Sequence, residues 1–150
     1  MTKQYRLLLV DDVAANLKVL AAHISPDYQL SIATDGYKAL KAAASNPPDL
    51  ILLDIDMPGM DGFAVLEQLK ANPLTQHIPV VFLTSHDTSE DILKGLQAGA
   101  YYYLTKPFDA DILRLVIAKA LRDDTGYAMA EREVNNNIST LEWLNYHNRQ

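Results

Sequence analysis

The chain has no cysteine among its 150 residues. Disulfides, thiol nucleophiles and cysteine-bound metals are thereby excluded, and a cytoplasmic setting is the expectation. Basic residues are also scarce, 13 Lys and Arg against 19 Asp and Glu, for a net charge of −6. That balance argues against nucleic-acid binding through a broad basic surface, and no run of Lys or Arg supplies a local one. The histidines, His23, His77, His86 and His147, lack the spacing of metal ligands. No apolar stretch approaches the length of a membrane span, so no membrane role is expected. Met1–Arg6 leads directly into a short strand, without the apolar core and small-residue cleavage site of a signal peptide. The sequon Asn137-Ile138-Ser139 would go unread in a cytosolic protein. What the chain has in quantity is apolar residues, 49%, enough to build the core of one domain with a small appendage.

Those residues fall in short runs that alternate with helix-like segments. Leu7–Val10 reads as a first strand, followed by a helix over Val13–His23 with Leu17, Leu20, Ala21 and Ile24 on one face. Tyr28–Ala33 alternates like a half-buried strand, placing Tyr28, Leu30 and Ile32 on one side. Thr34 or Asp35 can cap a helix that runs through Ser45 and stops before Pro47-Pro48. Leu50–Leu53 is a third strand, Gly62–Ala71 a helix, and Val80–Leu83 a fourth strand behind Pro79. Ser89-Glu90-Asp91 opens a helix that stops near Gly99, Tyr101–Leu104 is a fifth strand, and a last helix spans about Asp109–Arg122. Five βα units in series require crossover connections, which are almost always right-handed. The expected fold is a doubly wound, flavodoxin-like α/β domain with a five-stranded parallel sheet in the order 2-1-3-4-5. Domain boundaries are expected at 5–122, with 123–150 as a helical tail or linker. In that tail Tyr127, Ala130, Val134, Asn137, Leu141 and Leu144 fall at heptad spacing. A short coiled coil and an amphipathic tail folded back on the domain both fit.

The chemistry sits where the apolar runs stop. The first strand ends on Asp11-Asp12 and the third on Asp54, and in the expected order these strands flank the switch point where open α/β sheets bind ligands. Carboxylates converging there would repel one another unless a cation sits among them. Oxygen ligands without His or Cys suit Mg²⁺ or Mn²⁺. The fourth strand delivers the Thr84 hydroxyl to the same edge and the fifth delivers Lys106. A metal, a lysine and a hydroxyl around one carboxylate are what a phosphoryl group on that carboxylate requires, and aspartate can act as the nucleophile that forms an acyl phosphate.

Residues 5–122 resemble a response-regulator receiver domain of two-component signalling. The resemblance runs through Val10-Asp11-Asp12, the stretch Leu53–Gly62, Leu83-Thr84-Ser85, and Gly99-Ala100 through Lys106-Pro107-Phe108. It implies Asp54 as phosphoacceptor, Asp12 as a direct Mg²⁺ ligand, Asp11 as a ligand largely through water, and the Asp56 backbone carbonyl as a further ligand. It implies that Lys106 pairs with the phosphoryl group, that Lys106–Pro107 is cis, and that Thr84 shifts inward. Tyr103 would follow from an exposed to a buried rotamer as the switch aromatic. Asp56 and His86, two residues past Asp54 and Thr84, would flank the path of the hydrolytic water and tune the lifetime of the modified state. The implied readout surface is the fourth helix, fifth strand and fifth helix. A histidine kinase or phosphotransfer protein would be the donor, and an output domain or target protein the recipient. A homodimer is expected through that surface or through residues 127–144. The protein would not be an enzyme beyond taking part in its own phosphorylation and slow autodephosphorylation.

Asp11 alone reads more simply as the cap of the next helix, and Asp61 as a helix start. Three other functions compete for the same residues. Asp54-Ile55-Asp56 also resembles the start of a haloacid-dehalogenase-type phosphatase, but that motif wants Thr or Val where Pro58 stands, and no late acidic pair follows. A flavodoxin-like flavin carrier needs a Ser/Thr/Gly-rich phosphate loop where Asp11-Asp12 stands. A phosphorylation-independent interaction module stays open, although the full set of acids, hydroxyl and lysine speaks against it. The segment Asp12–Leu17, with Pro79–Thr84, is closer to receivers of cyclic-di-nucleotide enzymes and hybrid kinases than to those of winged-helix transcription factors, many of which carry acids where this chain has Tyr101 and Tyr102.

Overall fold

The computed structural model describes residues 4–24 and 26–137. Five strands form one parallel sheet, β1 (Arg6–Val10), β2 (Gln29–Ala33), β3 (Leu50–Leu53), β4 (Val80–Thr84) and β5 (Tyr102–Thr105), in the order β2-β1-β3-β4-β5. The doubly wound fold and its strand order are those expected from the sequence. Between the strands lie α1 (Ala14–Ile24), α2 (Gly36–Ser45), α3 (Gly62–Ala71) and α4 (Ser89–Gln97), followed by α5 (Ala110–Leu121) and α6 (Asp124–Asn137). Among the described residues no helix is long and apolar enough to cross a membrane.

The strand sequences follow from burial. β3 and β4 are covered on both faces, and their residues are aliphatic or aromatic up to the terminal Thr84. One face, bearing Leu8, Val10, Ile51, Leu53, Val80 and Phe82, packs with Ala39 and Ala43 of α2 and Val65, Leu66 and Leu69 of α3. Leu7, Leu9, Leu50, Leu52 and Val81 alternate to the other face and are equally buried. Ile32 departs from the expected alternation, being 58% exposed while Tyr28 is buried. β2 is the outer strand with only β1 beside it, so its carboxyl end stays open on one side.

Helix starts are set by short acceptors. Asp35 caps α2 through the Lys38 amide, Asp61 caps α3 through the Ala64 amide, Thr88 caps α4 through the Asp91 amide, and Asp109 caps α5. The α3 start also depends on a glycine. A Cβ on Gly62 would lie 2.4 Å from the Asp54 carbonyl oxygen and 2.8 Å from the Ile55 Cα. That close approach holds the α3 terminus against the chain leaving β3, where the Gly62 amide donates to the Ile55 carbonyl at 2.9 Å.

The chain divides into two compact units, Met1–Phe108 and Asp109–Gln150. In the second, α5 ends on Arg122 in the left-handed conformation (φ 56°), the Asp123 amide donates to the Ala118 carbonyl at 2.9 Å, and α6 lies alongside α5. Ala130 and Val134, two of the heptad positions, are buried. As far as residue 137 the tail thus packs along α5 within this unit; Leu141, Leu144, His147 and Ser139 of the sequon lie outside the described residues.

Gly62→Ala should destabilise the protein by roughly 1–3 kcal/mol, the usual cost of overpacking. Urea denaturation measures it, and the Asp54 and Ile55 amide resonances should shift in the same variant. An unchanged midpoint would show that the α3 terminus is not held by this contact.

Candidate functional site

β1 and β3 pair in a register that sets Val10 beside Leu53, and the ladder continues one bond further, from the Asp54 amide to the Val10 carbonyl at 3.0 Å. The residues that follow the two strands therefore emerge side by side at the carboxyl edge. Asp11, Asp12 and Asp54 each place a carboxylate oxygen within 4.8 Å of the others. Asp11 and Asp54 are buried, and Asp12 is exposed.

Each buried carboxylate has its own partners. Asp11 accepts from the Val13 amide at 2.9 Å, from Asn16 Nδ2 at 3.2 Å and from Lys106 Nζ at 3.3 Å. It therefore does serve the turn into α1, and it also holds the lysine. Asp54 Oδ1 accepts from the Ile55 amide at 2.8 Å. Burial pushes the Asp54 carboxyl above its ordinary 3.8; the Lys106 charge draws it down, Asp11 pushes it up, and the Ile55 amide and Thr84 hydroxyl draw it down. Thr84 ends β4 and is wholly buried, and its hydroxyl oxygen accepts from the His86 amide at 3.3 Å. The Lys106–Pro107 bond is cis, as the resemblance implied.

Beside this cluster lies a second network. His86 Nε2 is 2.6 Å from Asp56 Oδ1 and Nδ1 is 3.2 Å from Asp91 Oδ2, so the imidazole spans the gap between the loop after β3 and the first turn of α4. Hydrogen bonds to Asp56 and then Asp91 raise the His86 pKa above 6.5, against a smaller desolvation effect. Tyr103 is buried, its hydroxyl donates to the His86 carbonyl at 2.7 Å, and desolvation, followed by the charge of Asp91, pushes its pKa up to about 12. The resemblance implied a tyrosine that moves from exposed to buried; here it is already inserted.

The structure thus brings Asp11, Asp12, Asp54, Thr84 and Lys106 to one edge, and Asp56, His86 and Tyr103 to its α4 side. Two contributors left little trace in the sequence. Asn16, in the first turn of α1, carried the signal of a polar residue one helical turn beyond the acidic pair. Asp91 read only as a helix opener, because nothing local reveals that His86 faces it.

A parallel five-stranded sheet with an acidic cluster at the switch point, together with a lysine and a buried threonine, defines a CheY-like receiver domain. The chain belongs to the response regulator receiver domain family, whose family model matches residues 7–140. It is 47% identical over 117 residues to the response regulator PleD of Caulobacter vibrioides, an alignment covering 77% of this chain and 26% of that protein. It is 40% identical over 111 residues to a probable cyclic di-GMP phosphodiesterase of Vibrio cholerae, covering 74% of this chain and 25% of that one. The chain therefore spans about a quarter of the length of these two relatives. Among solved structures it is similar to the receiver domain of Francisella response regulator 1452, with a TM-score of 0.74 and 28% identity, covering 81% of this chain and 99% of the other.

A buried carboxylate with a raised pKa opposes folding once it ionises. Below pH 3.8 Asp54 is protonated in both states and carries no cost; above that value the unfolded chain ionises first, and stability falls until the folded carboxyl has ionised too. In chelator at neutral pH, Asp54→Asn should therefore melt at a higher temperature than the parent, with the gain vanishing toward pH 3. A lower melting temperature would contradict the sign.

Proposed function

We propose that Asp54 accepts a phosphoryl group from a histidine kinase or phosphotransfer protein, and that Mg²⁺ or Mn²⁺ is required. The observation that carries this reading is the convergence of three carboxylates within 4.8 Å, two of them buried, beside one lysine and one buried hydroxyl. The donor set is all oxygen, which suits a hard divalent cation; Asp11, Asp12, Asp54 and the Asp56 backbone carbonyl would hold it. When bound, such a cation neutralises phosphoryl charge.

The chain's own residues account for the rest. The Ile55 amide fixes Asp54 Oδ1 and so orients the carboxylate. A carboxylate oxygen attacks phosphorus, the donor's phosphorus–nitrogen bond breaks, and its electron pair leaves with the imidazole. Lys106, now on Asp11, lies within reach of the new negative charge. The Thr84 hydroxyl donates to a phosphoryl oxygen. Asp56 and His86 flank the approach of water to the product, with the imidazole held across the gap by Asp56 and Asp91.

The receiver unit extends over 5–122 and acts on an output domain or target protein in the cytoplasm. The helix 4–strand 5–helix 5 surface carries the readout. Exposed Leu93, Leu96 and Tyr101 supply its apolar patch on α4 and before β5 and favour it for self-association. Burial of Ala130 and Val134 speaks against residues 127–144 as the dimer seam. The similarity to a probable cyclic di-GMP phosphodiesterase points to cyclic-di-nucleotide signalling as the output.

The parent chain with Mg²⁺ and beryllofluoride should show large amide shifts around Asp54, Thr84 and Lys106, and Asp54→Asn should show none. Equal responses from both would end the phosphoacceptor reading. His86→Ala should still accept phosphate from a small phosphodonor but lose it several-fold faster, since the bridge shielding the water path is gone. An unaltered decay rate would remove His86 from that role.

A further inference from the structure

Tyr103 lies in a slot whose floor is a missing side chain. Gly95 is the buried residue of α4, in the last turn of the helix and without a positive φ to explain a glycine there. Glycine is among the poorest helix formers, so its place here has a local cost. A Cβ at this position would lie 2.9 Å from Tyr103 Cδ2, 3.1 Å from Cε2 and 3.2 Å from Phe82 Cδ2. The Tyr103 ring packs at 5.5 Å and a tilt of 54° against Phe82, which packs at 5.5 Å and 58° against Phe63, and the Lys94 ammonium sits 4.1 Å over the Phe63 ring. At its tip the hydroxyl is anchored to the His86 carbonyl, and the His86 imidazole is tied to Asp56 and Asp91.

We propose that Gly95 is a positioning residue for Tyr103: the space left by its absent side chain lets the tyrosine lie inserted before any modification of Asp54, and one methyl group there drives it outward. The contact is with mid-ring atoms wedged against Phe82, not with a flexible tip, so a small adjustment does not relieve it. The consequence for signalling rests on the phosphoacceptor reading. If the modified state needs inserted Tyr103, whatever lowers the inserted fraction must weaken phosphoryl or analogue binding in proportion to that fraction.

The test uses the full chain and Gly95→Ala. Without metal or phosphodonor, nitration by tetranitromethane is mapped by mass spectrometry, with exposed Tyr37 as the internal standard. Tyr103 should be protected in the parent and several-fold more reactive in the variant; equal reactivity overturns the proposal. A second comparison separates positioning from plain helix stability. In a Tyr103→Ala background Gly95→Ala should raise the melting temperature, because alanine is the better helix former, whereas with Tyr103 present it should lower it. Shifts of the same sign and size in both backgrounds overturn the proposal, and so does failure of both variants to fold. Loss of folding only when Tyr103 is present is the expected effect at its extreme. Finally, the apparent affinity for beryllofluoride with Mg²⁺ should fall several-fold in Gly95→Ala. Unchanged affinity alongside exposed Tyr103 overturns the coupling. If the parent itself binds no beryllofluoride, the phosphoacceptor reading fails, while nitration and melting still judge the slot.

Discussion

The register between β1 and β3 is the constraint on which the rest depends. Leu9 pairs with Leu52 and Val10 with Leu53, and the next amide in line is that of Asp54. Side chains alternate along a strand, so a slip of one residue would exchange the two faces of β3 and carry Asp54 away from Asp11. Four aliphatics buried on both faces resist that slip only weakly by pattern, since either face accepts them. The ends carry what distinguishes this register: the Asp49 carboxylate accepts from the Arg6 amide at 2.9 Å on one side, and the Asp54 amide donates to the Val10 carbonyl at 3.0 Å on the other. The acidic cluster is thus a by-product of backbone hydrogen bonding carried one residue beyond the strands.

Gathering acids in this way stores electrostatic tension. Two buried carboxylates and one exposed one face a single lysine, and that lysine sits 3.3 Å from Asp11 rather than on Asp54. Asp54 is left with an amide, a hydroxyl and the more distant lysine charge, which do not offset its burial. A site in this condition favours ligands that bring positive charge among the acids and negative charge toward the lysine. The same cluster abuts the His86 bridge and inserted Tyr103. A change at Asp54 therefore has a short mechanical route, through Thr84 and the His86 backbone, to α4.

Much of this is legible in the sequence. Strand endings at Asp11, Asp54 and Thr84 could be read because each apolar run, buried on both faces, stops abruptly on a polar residue; Lys106 follows the half-buried β5 directly. The bounds of β3 and α3 agree with the sequence pattern because Pro48, Pro58, Gly62 and Asn72-Pro73 punctuate them. Ile32 misled because alternation reports which side a residue faces but not whether anything covers that side. Asp91 and Gly95 were missed because their partners, His86 and Tyr103, approach from other elements. The heptad spacing of the tail was real but ambiguous, since the same apolar stripe serves a partner chain or α5.

By itself, then, the sequence determined the order of elements, the parallel doubly wound sheet and the edge at which the acids and the lysine meet. These follow from hydrophobic periodicity and chain connectivity, both of which are local in the sequence. Tertiary structure alone decided that Lys106 pairs with Asp11 across 95 residues, that His86 bridges Asp56 and Asp91, and that Tyr103 lies inserted over Gly95. Those outcomes depend on rotamers and on ångström-scale gaps between elements distant in sequence, and no pattern along the chain encodes a gap.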